Sequence, residues 1–501
     1  MSNKGLAKVS RRRFNLETVV FSAEQEVTVP AGIKIPADTQ YLLHPVLIIP
    51  KDKNDIYQGL GKIRFQGQLE GFLSCVDSEE AVHTLAVPPI EFMTAFATPL
   101  LADARFEADA VIEGVELDRG GDDVANLTVF VIVTVRALRN EETELITAVS
   151  KDFLGAEVRN GKFQNIAGVE ETEQVITIDL PATVGRDPIG KDLGIGNLNW
   201  QVIEGRLSAE GVVMAKVYSL SVKGELEAFE ANKEFELELD FDAPEVTDSK
   251  LLCAPIKSRF YPGTEEEGPA LELVLRFTAI GYFEQTTEYI ASLSGADSIE
   301  KMLYLRNRIG ESEFKFNLGG VCQFPKEPAK VDLVLAKTRI TEAKALDEQV
   351  LVRGLLSLSI FYTDESDLPR VLVQEEEFNQ FFALKGCASG YSVKAWAWPE
   401  KGSCSDERYS VPILLRVEVV EEVEFRAVAD VHVVDTQLAP AAASVVLYVA
   451  KEGDSLFAVA RKFNITMEKL REYNGLPADA VIYRNQKLLI PTYQAKYYPR
   501  V

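Results

Sequence analysis

The chain has 501 residues, of which 47% are hydrophobic, so it can bury the cores of three or four domains. Acidic residues outnumber basic ones by 77 to 53, and the resulting charge of −24 argues against binding to nucleic acids or to anionic membrane surfaces. The first residues hold no apolar run of signal-peptide length, and no later run reaches the roughly 18 residues of a membrane span. We therefore expect a protein that begins in the cytoplasm and does not insert into a membrane.

Three sequence landmarks recur in the same order along the first 435 residues. The first is a proline that closes an alternating strand, with copies 145 and 144 residues apart: Pro36, Pro181 and Pro325. The second is a glycine inside an apolar strand, with copies 144 and 143 residues apart: Gly67, Gly211 and Gly354. The third is a Glu-Phe dipeptide at the start of another strand, with copies 143 residues apart: Glu91, Glu234 and Glu377. Because all three landmarks keep nearly one spacing, the sequence predicts three homologous units.

Within each unit the residue pattern is that of β-strands. Residues 234–241 alternate acidic and apolar side chains, which is typical of a strand with one solvated and one buried face. Each unit also ends in a long apolar strand: residues 127–136, 271–280 and 413–421. Five or more strands in about 140 residues predict a mainly β chain of three tandem antiparallel β-sandwich or barrel-like repeats. We expect residues 141–170 and 292–315 to be linkers or short helices between the repeats.

A Pro/Ala-rich run follows the third repeat and is typical of a semi-flexible tether to a small terminal domain. The predicted segments, in chain order, are three repeats, the tether, the terminal domain and a tail: residues 1–140, 141–291 (with a leading linker), 292–435, 436–445, 446–492 and 493–501.

The terminal domain has the pattern of a strand, two helices and a second strand. A turn at residues 453–455 precedes apolar residues at helical spacing over 456–463, which predicts a first helix capped by the turn. A second helix starts at Thr466 and stops at Asn474-Gly475, with three apolar positions: Met467, Leu470 and Tyr473. The last strand is ended by a proline.

This pattern resembles a LysM domain over its whole length. The resemblance rests on a strand tyrosine, a Gly-Asp-Ser-Leu turn, an Asn-Gly-Leu stretch and a Gln-Lys-Leu-Leu-Ile-Pro ending: Tyr448 and residues 453–456, 474–476 and 486–491. It implies a βααβ module that binds N-acetylglucosamine-containing glycans such as peptidoglycan in a shallow groove. The implied groove residues are Gly453, Asp454, Ser455, Leu456, Asn474, Gly475, Leu476 and Tyr483. The other interpretation is structural, with Leu456 and Tyr483 in the core and Asn474-Gly475 as a helix cap.

The repeats resemble the SPOCS domain of spore-forming Firmicutes. The clearest copy of the pattern Val-x-Gly-x-Leu-x-x-x-Ile-x-Tyr is residues 352–362, whereas the first unit has Cys75 in place of the tyrosine and the second has Tyr218 one position early. Three such repeats before one LysM domain are similar to the domain order of spore coat morphogenetic proteins. The resemblance implies a non-enzymatic assembly scaffold at the forespore surface in the mother-cell cytoplasm, with a LysM domain that binds a coat basement-layer protein.

A function from a different class stays open beside this one. The protein can instead be a glycan-binding protein of the cell wall or spore surface, exported without a recognisable signal. Either function is compatible with self-association of the repeats into a filament or layer by pairing of edge strands. Acidic strand faces, such as Glu234, Glu236 and Glu238, are either solvated or a docking surface for a basic protein partner.

The sequence has none of the residue constellations that catalysis or metal binding usually needs. The three histidines, His44, His83 and His432, lie in unrelated contexts, and no nucleotide-binding glycine motif precedes a helix. Asp118, Asp122 and Asp123 do not have the spacing of a calcium loop and are expected in a solvated hairpin turn. The five cysteines are never spaced as Cys-x-x-Cys and are expected to be reduced. We therefore predict no enzyme activity, no cofactor and no metal.

Overall fold

The computed structural model describes ten segments of the chain: residues 9–43, 45–121, 123–149, 155–182, 184, 188–221, 226–264, 268–294, 296–432 and 444–492. His44, Asp122, most of the expected tether and the tail lie outside these segments. About 75% of the residues are in strands and 4% in helices, so the predicted mainly β class is confirmed. Within the described segments, no helix is both long and apolar enough to cross a bilayer.

Three β units follow one another along the chain. The first unit has eight strands and a 3-10 turn at Lys51–Lys53: β1 (Val9–Lys34), β2 (Tyr41–Leu42), β3 (Val46–Ile48), β4 (Asp55–Gly59), β5 (Lys62–Val76), β6 (Val82–Ala97), β7 (Ala104–Arg119) and β8 (Val124–Val149). The second has six strands: β9 (Gly155–Asp179), β10 (Gly190–Ile203), β11 (Arg206–Leu220), β12 (Leu226–Asp240), β13 (Asp248–Tyr261) and β14 (Ala270–Ser294). The third has seven: β15 (Asp297–Val321), β16 (Pro328–Leu346), β17 (Gln349–Asp364), β18 (Pro369–Ala383), β19 (Ser392–Pro399), β20 (Ser403–Ser405) and β21 (Arg408–His432).

The three units have the same topology. In each, the first and last strands are 25 or 26 residues long and pair antiparallel along their whole length, as β1–β8, β9–β14 and β15–β21. The next-to-last main strand, β7, β13 or β19, pairs with the last. A small separate sheet from the middle of the unit packs on this long strand pair. In the first unit, for example, Val129 and Val131 are buried with Phe65 in one core. Each unit is therefore an antiparallel sandwich, as the alternating pattern predicts.

The glycine and Glu-Phe landmarks are cross-strand partners. The ladder places each glycine opposite the phenylalanine of the dipeptide: Gly67 with Phe92, Gly211 with Phe235 and Gly354 with Phe378. A Cβ on these glycines would lie 2.5, 2.6 and 2.4 Å from a carbon of the phenylalanine ring. The ring therefore covers the glycine backbone, and the two residues recur together because each needs the other.

Residues 141–170 and 292–315 are not linkers or short helices, and that prediction is wrong. Residues 141–149 and 155–170 belong to β8 and β9, whereas residues 292–294 and 297–315 belong to β14 and β15. These stretches extend as strands because their apolar side chains pack against other units. The division points expected after residues 140 and 291 fall within β8 and β14.

The far ends of the three long strand pairs pack together, and we call this region the strand bundle (residues 9–18, 139–149, 155–166, 282–294, 297–308 and 421–432). Single ladder contacts join Leu16 to Asn165 and Thr18 to Leu305, which links the first strands of all three units. The bundle has one buried apolar core with residues from every unit: Phe14, Leu16, Leu145, Phe163, Tyr289, Ala291, Leu303, Leu305, Phe425 and Ala427. The units therefore share a core and form one body.

Candidate functional site

The terminal module consists of two short strands and two helices, β22 (Ser444–Val449), α1 (Leu456–Lys462), α2 (Met467–Asn474) and β23 (Lys487–Thr492), with β22 paired antiparallel to β23. Helix α1 begins where it does because the Ser455 hydroxyl accepts a hydrogen bond from the Ala458 N–H at 3.1 Å. The hydroxyl of Thr466 caps α2 in the same way, and Gly475 ends that helix with φ +62°. The predicted βααβ fold is confirmed.

The terminal module is docked on the end of the strand bundle. The buried ring of His432 donates a hydrogen bond from Nε2 to the carbonyl oxygen of Ile465 at 3.0 Å. The N–H of Met467 donates to the carboxylate of Asp297 at 2.5 Å. On the surface, Arg461 pairs with Asp430 at 2.6 Å. These three contacts hold the module directly against the β body.

The first loop of the implied groove is held by its own side chains. The Asp454 carboxylate accepts hydrogen bonds from the Lys451 N–H and the Tyr448 hydroxyl, both at 2.7 Å, and these bonds lower the pKa of Asp454. The side chain of Leu456 is buried in the module core. Gly453 has φ +84°, and a Cβ there would meet only open space. Asp454, Ser455 and Leu456 thus have structural roles, whereas the backbone of Gly453 faces outward.

The second loop is anchored by one amide. The Asn474 side chain donates to the carbonyl oxygens of Leu470 and Leu489 at 2.8 Å and accepts from the Leu489 N–H at 2.7 Å. It therefore joins α2 to β23. Gly475 faces open space, and Leu476 packs partly against the core. Asn474 and Gly475 therefore end α2 and join it to β23, and the Gly475 backbone is open to solvent.

Replacing Asn474 by alanine is expected to lower the local stability of the module by about 2 kcal/mol, because three hydrogen bonds are lost. Hydrogen exchange of the full chain measures this as faster exchange in α2 and β23. The matched control is Asn160→Ala, because Asn160 is an exposed amide on β9 and its change leaves the module untouched. Equal exchange in the two variants would contradict the anchoring role.

Tyr483 is the one aromatic among the eight implied groove residues, and 71% of its surface is accessible, so it does not lie in the core as the structural interpretation expects. Its loop is fixed by Gln486, whose side-chain oxygen accepts from the Tyr483 N–H at 2.9 Å. This loop meets the first loop through the Asn485 N–H, which donates to the Ala450 carbonyl at 2.8 Å. The structure thus brings the Gly453 and Tyr483 loops together.

A shallow hollow in the module was missed by the sequence reasoning. It is lined by Lys469, Glu472, Tyr473 and Pro491, and contains none of the eight implied groove residues. Tyr473 was expected at an apolar helix position, but half of its surface is exposed. The sequence carries a weak sign of this, because Tyr473 lies next to the charged Glu472 and the helix-ending Asn474.

Comparison with protein families identifies a LysM domain at residues 448–491, as predicted. Comparisons with curated proteins and with solved structures gave no match. The match supports peptidoglycan or glycan binding by the terminal module, which is a binding module and not a catalytic one. It covers a small part of the chain, so the resemblance of the three units to the SPOCS domain stays a prediction.

Proposed function

We propose that the protein binds N-acetylglucosamine-containing glycans such as peptidoglycan through its terminal module, which the β body holds in a fixed position. One observation carries this proposal. Docking on the strand bundle uses the side of the module that includes Phe457, Arg461 and Ile465. Among the described residues, the hydrogen bonds and ring contacts found across this junction involve none of the eight implied groove residues. The exposed residues of the implied groove, Gly453, Gly475 and Tyr483, therefore stay accessible in the docked protein.

The accessible residues have chemistry that suits a sugar. An exposed tyrosine ring, as at Tyr483, offers a flat apolar surface for the C–H face of a pyranose and a hydroxyl for its polar edge. Gly453 and Gly475 have no side chain, so a ligand can approach their backbone closely. The module also has seven basic and five acidic residues, in contrast to the strongly acidic chain as a whole, so anionic glycans are not repelled locally.

Replacing Tyr483 by alanine is expected to reduce retention of the full chain on insoluble peptidoglycan at least about tenfold, because the stacking surface is lost. Tyr304→Ala is the matched control, since Tyr304 is a similarly exposed tyrosine on β15 of the body. Variants of Asp454 or Asn474 are less informative because both side chains hold the module together. Absence of wild-type retention, or equal retention of the Tyr483 and Tyr304 variants, would sink the proposal.

A second candidate function is the assembly scaffold, in which coat proteins bind the repeats and the LysM domain engages a basement-layer protein. The observation that favours it is the threefold equivalence of an exposed acid: Glu91, Glu234 and Glu377 lie on the outer strands β6, β12 and β18 of the three small sheets. One basic partner surface can therefore be bound in three equivalent ways. A mother-cell, sporulation-specific expression profile supports this candidate and a location at the forespore surface, and constitutive expression opposes both.

A further inference from the structure

Two thiols of the third unit lie in contact although they are 82 residues apart in the chain. The sulfur of Cys322, just after β15, is 3.4 Å from the sulfur of Cys404 on β20. Cys322 is 3% exposed and packs in the apolar core of the unit, whereas Cys404 is partly accessible. Both are free thiols in this structure.

The backbone fixes both cysteines in place. Cys404 lies on β20 of the β20–β21 hairpin, whose two-residue loop consists of Asp406 and Glu407, both with positive φ. The N–H of Cys322 donates to the carbonyl oxygen of Glu407 in that same turn at 2.7 Å. The main-chain geometry therefore places the two short side chains next to each other.

The other cysteines lack this arrangement. The Cys75 and Cys387 thiols contact backbone carbonyls, of His83 and Gln349, rather than another thiol. Over the part of the chain that the structure describes, no cluster of three or more His, Cys, Asp or Glu residues is able to hold a metal ion.

We propose that Cys322 and Cys404 are a reversible oxidation site that closes to an intramolecular disulfide in an oxidising environment. A disulfide has sulfurs about 2.05 Å apart, so the two sulfurs, now 3.4 Å apart, need to approach by little more than about 1 Å. The disulfide would link the end of β15 to the β20–β21 hairpin and so restrain the short strand β20.

The oxidant is a low-molecular-weight disulfide. Cys404, the accessible member, attacks it as a thiolate, which forms a mixed disulfide and releases one small thiol. Cys322 then loses its proton and attacks the Cys404 sulfur, which releases the second small thiol. In total the protein loses two protons and two electrons, and the small disulfide gains them to become two small thiols. Burial raises the pKa of the Cys322 thiol to about 12, so the more accessible Cys404, and not Cys322, makes the first attack.

The test is oxidation of the full chain with glutathione disulfide at neutral pH, followed by intact mass and non-reducing peptide mapping. We expect a loss of about 2 Da, a linked peptide pair containing Cys322 and Cys404, and reversal by dithiothreitol. The oxidised protein should also unfold about 5 °C higher than the reduced one, because the bond closes a long loop.

The Cys404→Ser variant should show neither the mass loss nor the thermal shift. Cys253→Ser is the matched control, because Cys253 is also partly exposed and should leave both effects intact. Glutathione adducts without the internal bond, a different linked pair, or a mass loss that persists in Cys404→Ser would each overturn the proposal. The outcome is independent of glycan binding by the terminal module.

Discussion

Replacing Glu107 by glutamine is expected to lower the free energy of unfolding by about 3–5 kcal/mol at neutral pH, because it removes one of the carboxylates that balance a cluster of buried cations. Glu107 lies on β7 opposite Arg136, close to the strand bundle, and is largely buried. Its carboxylate is 2.6 Å from Lys394, 3.5 Å from Lys250 and 3.6 Å from Arg306. These partners belong to the other two units, so one carboxylate links all three.

The pKa values of this cluster describe the same coupling. Burial alone would raise the pKa of Glu107, but Lys250, Lys394 and Arg306 hold it far below its ordinary value. Glu418, which is 2.6 Å from Lys250, also has a lowered pKa for the same reason. A carboxyl group whose pKa is lower in the folded protein stabilises it at neutral pH, and this stabilisation is lost as the pH falls through the folded pKa.

The difference between the wild type and Glu107→Gln should therefore be largest above the ordinary carboxyl pKa of 4.5 and should shrink in more acidic solution. Urea unfolding at neutral pH and at pH values below 4.5 measures both effects. Glu173→Gln is the matched control, since Glu173 forms an exposed pair with Arg276 and its loss should cost about 1 kcal/mol or less. Equal costs for the two substitutions would contradict the role of Glu107 as a shared counter-charge.

Replacing Gly71 by alanine is expected to cost at least about 4 kcal/mol. Gly71 lies opposite Leu47 of β3, at a bulge in β5, and has φ +150°. A Cβ there would be 2.0 Å from the Val46 carbonyl oxygen, which is backbone and cannot rotate away. The second unit also approaches this point, since a Cβ built on Gly190 would lie 3.9 Å from the Gly71 backbone.

The urea midpoint of Gly71→Ala measures this cost, and loss of soluble full-length protein would be the same result in a stronger form. The control is Gly59→Ala in β4, where a Cβ has nothing within 4 Å, so its effect should stay within about 1 kcal/mol. If the two variants unfold at similar urea concentrations, the close approach at Gly71 is not a determinant of stability.

The sequence by itself determined the features that depend on neighbouring residues. The helix caps at Ser455 and Thr466 and the stop at Gly475 are local interactions, so the terminal module could be recognised and its fold predicted. The alternation of residues 234–241 likewise revealed a half-buried strand, β12. The nearly constant spacing of the glycine and Glu-Phe landmarks also indicates the threefold repeat from the sequence alone.

Only the tertiary structure decided the features that depend on residues distant in sequence. Residues 141–170 and 292–315 are strands because their side chains enter a core shared by three units, which no local pattern records. The bonds that engage Asp454 and Asn474, the exposure of Tyr473 and the contact of Cys322 with Cys404 also arise from the folded chain. Local propensity depends on a residue and its neighbours in the sequence, whereas these roles arise only when distant segments of the chain come into contact.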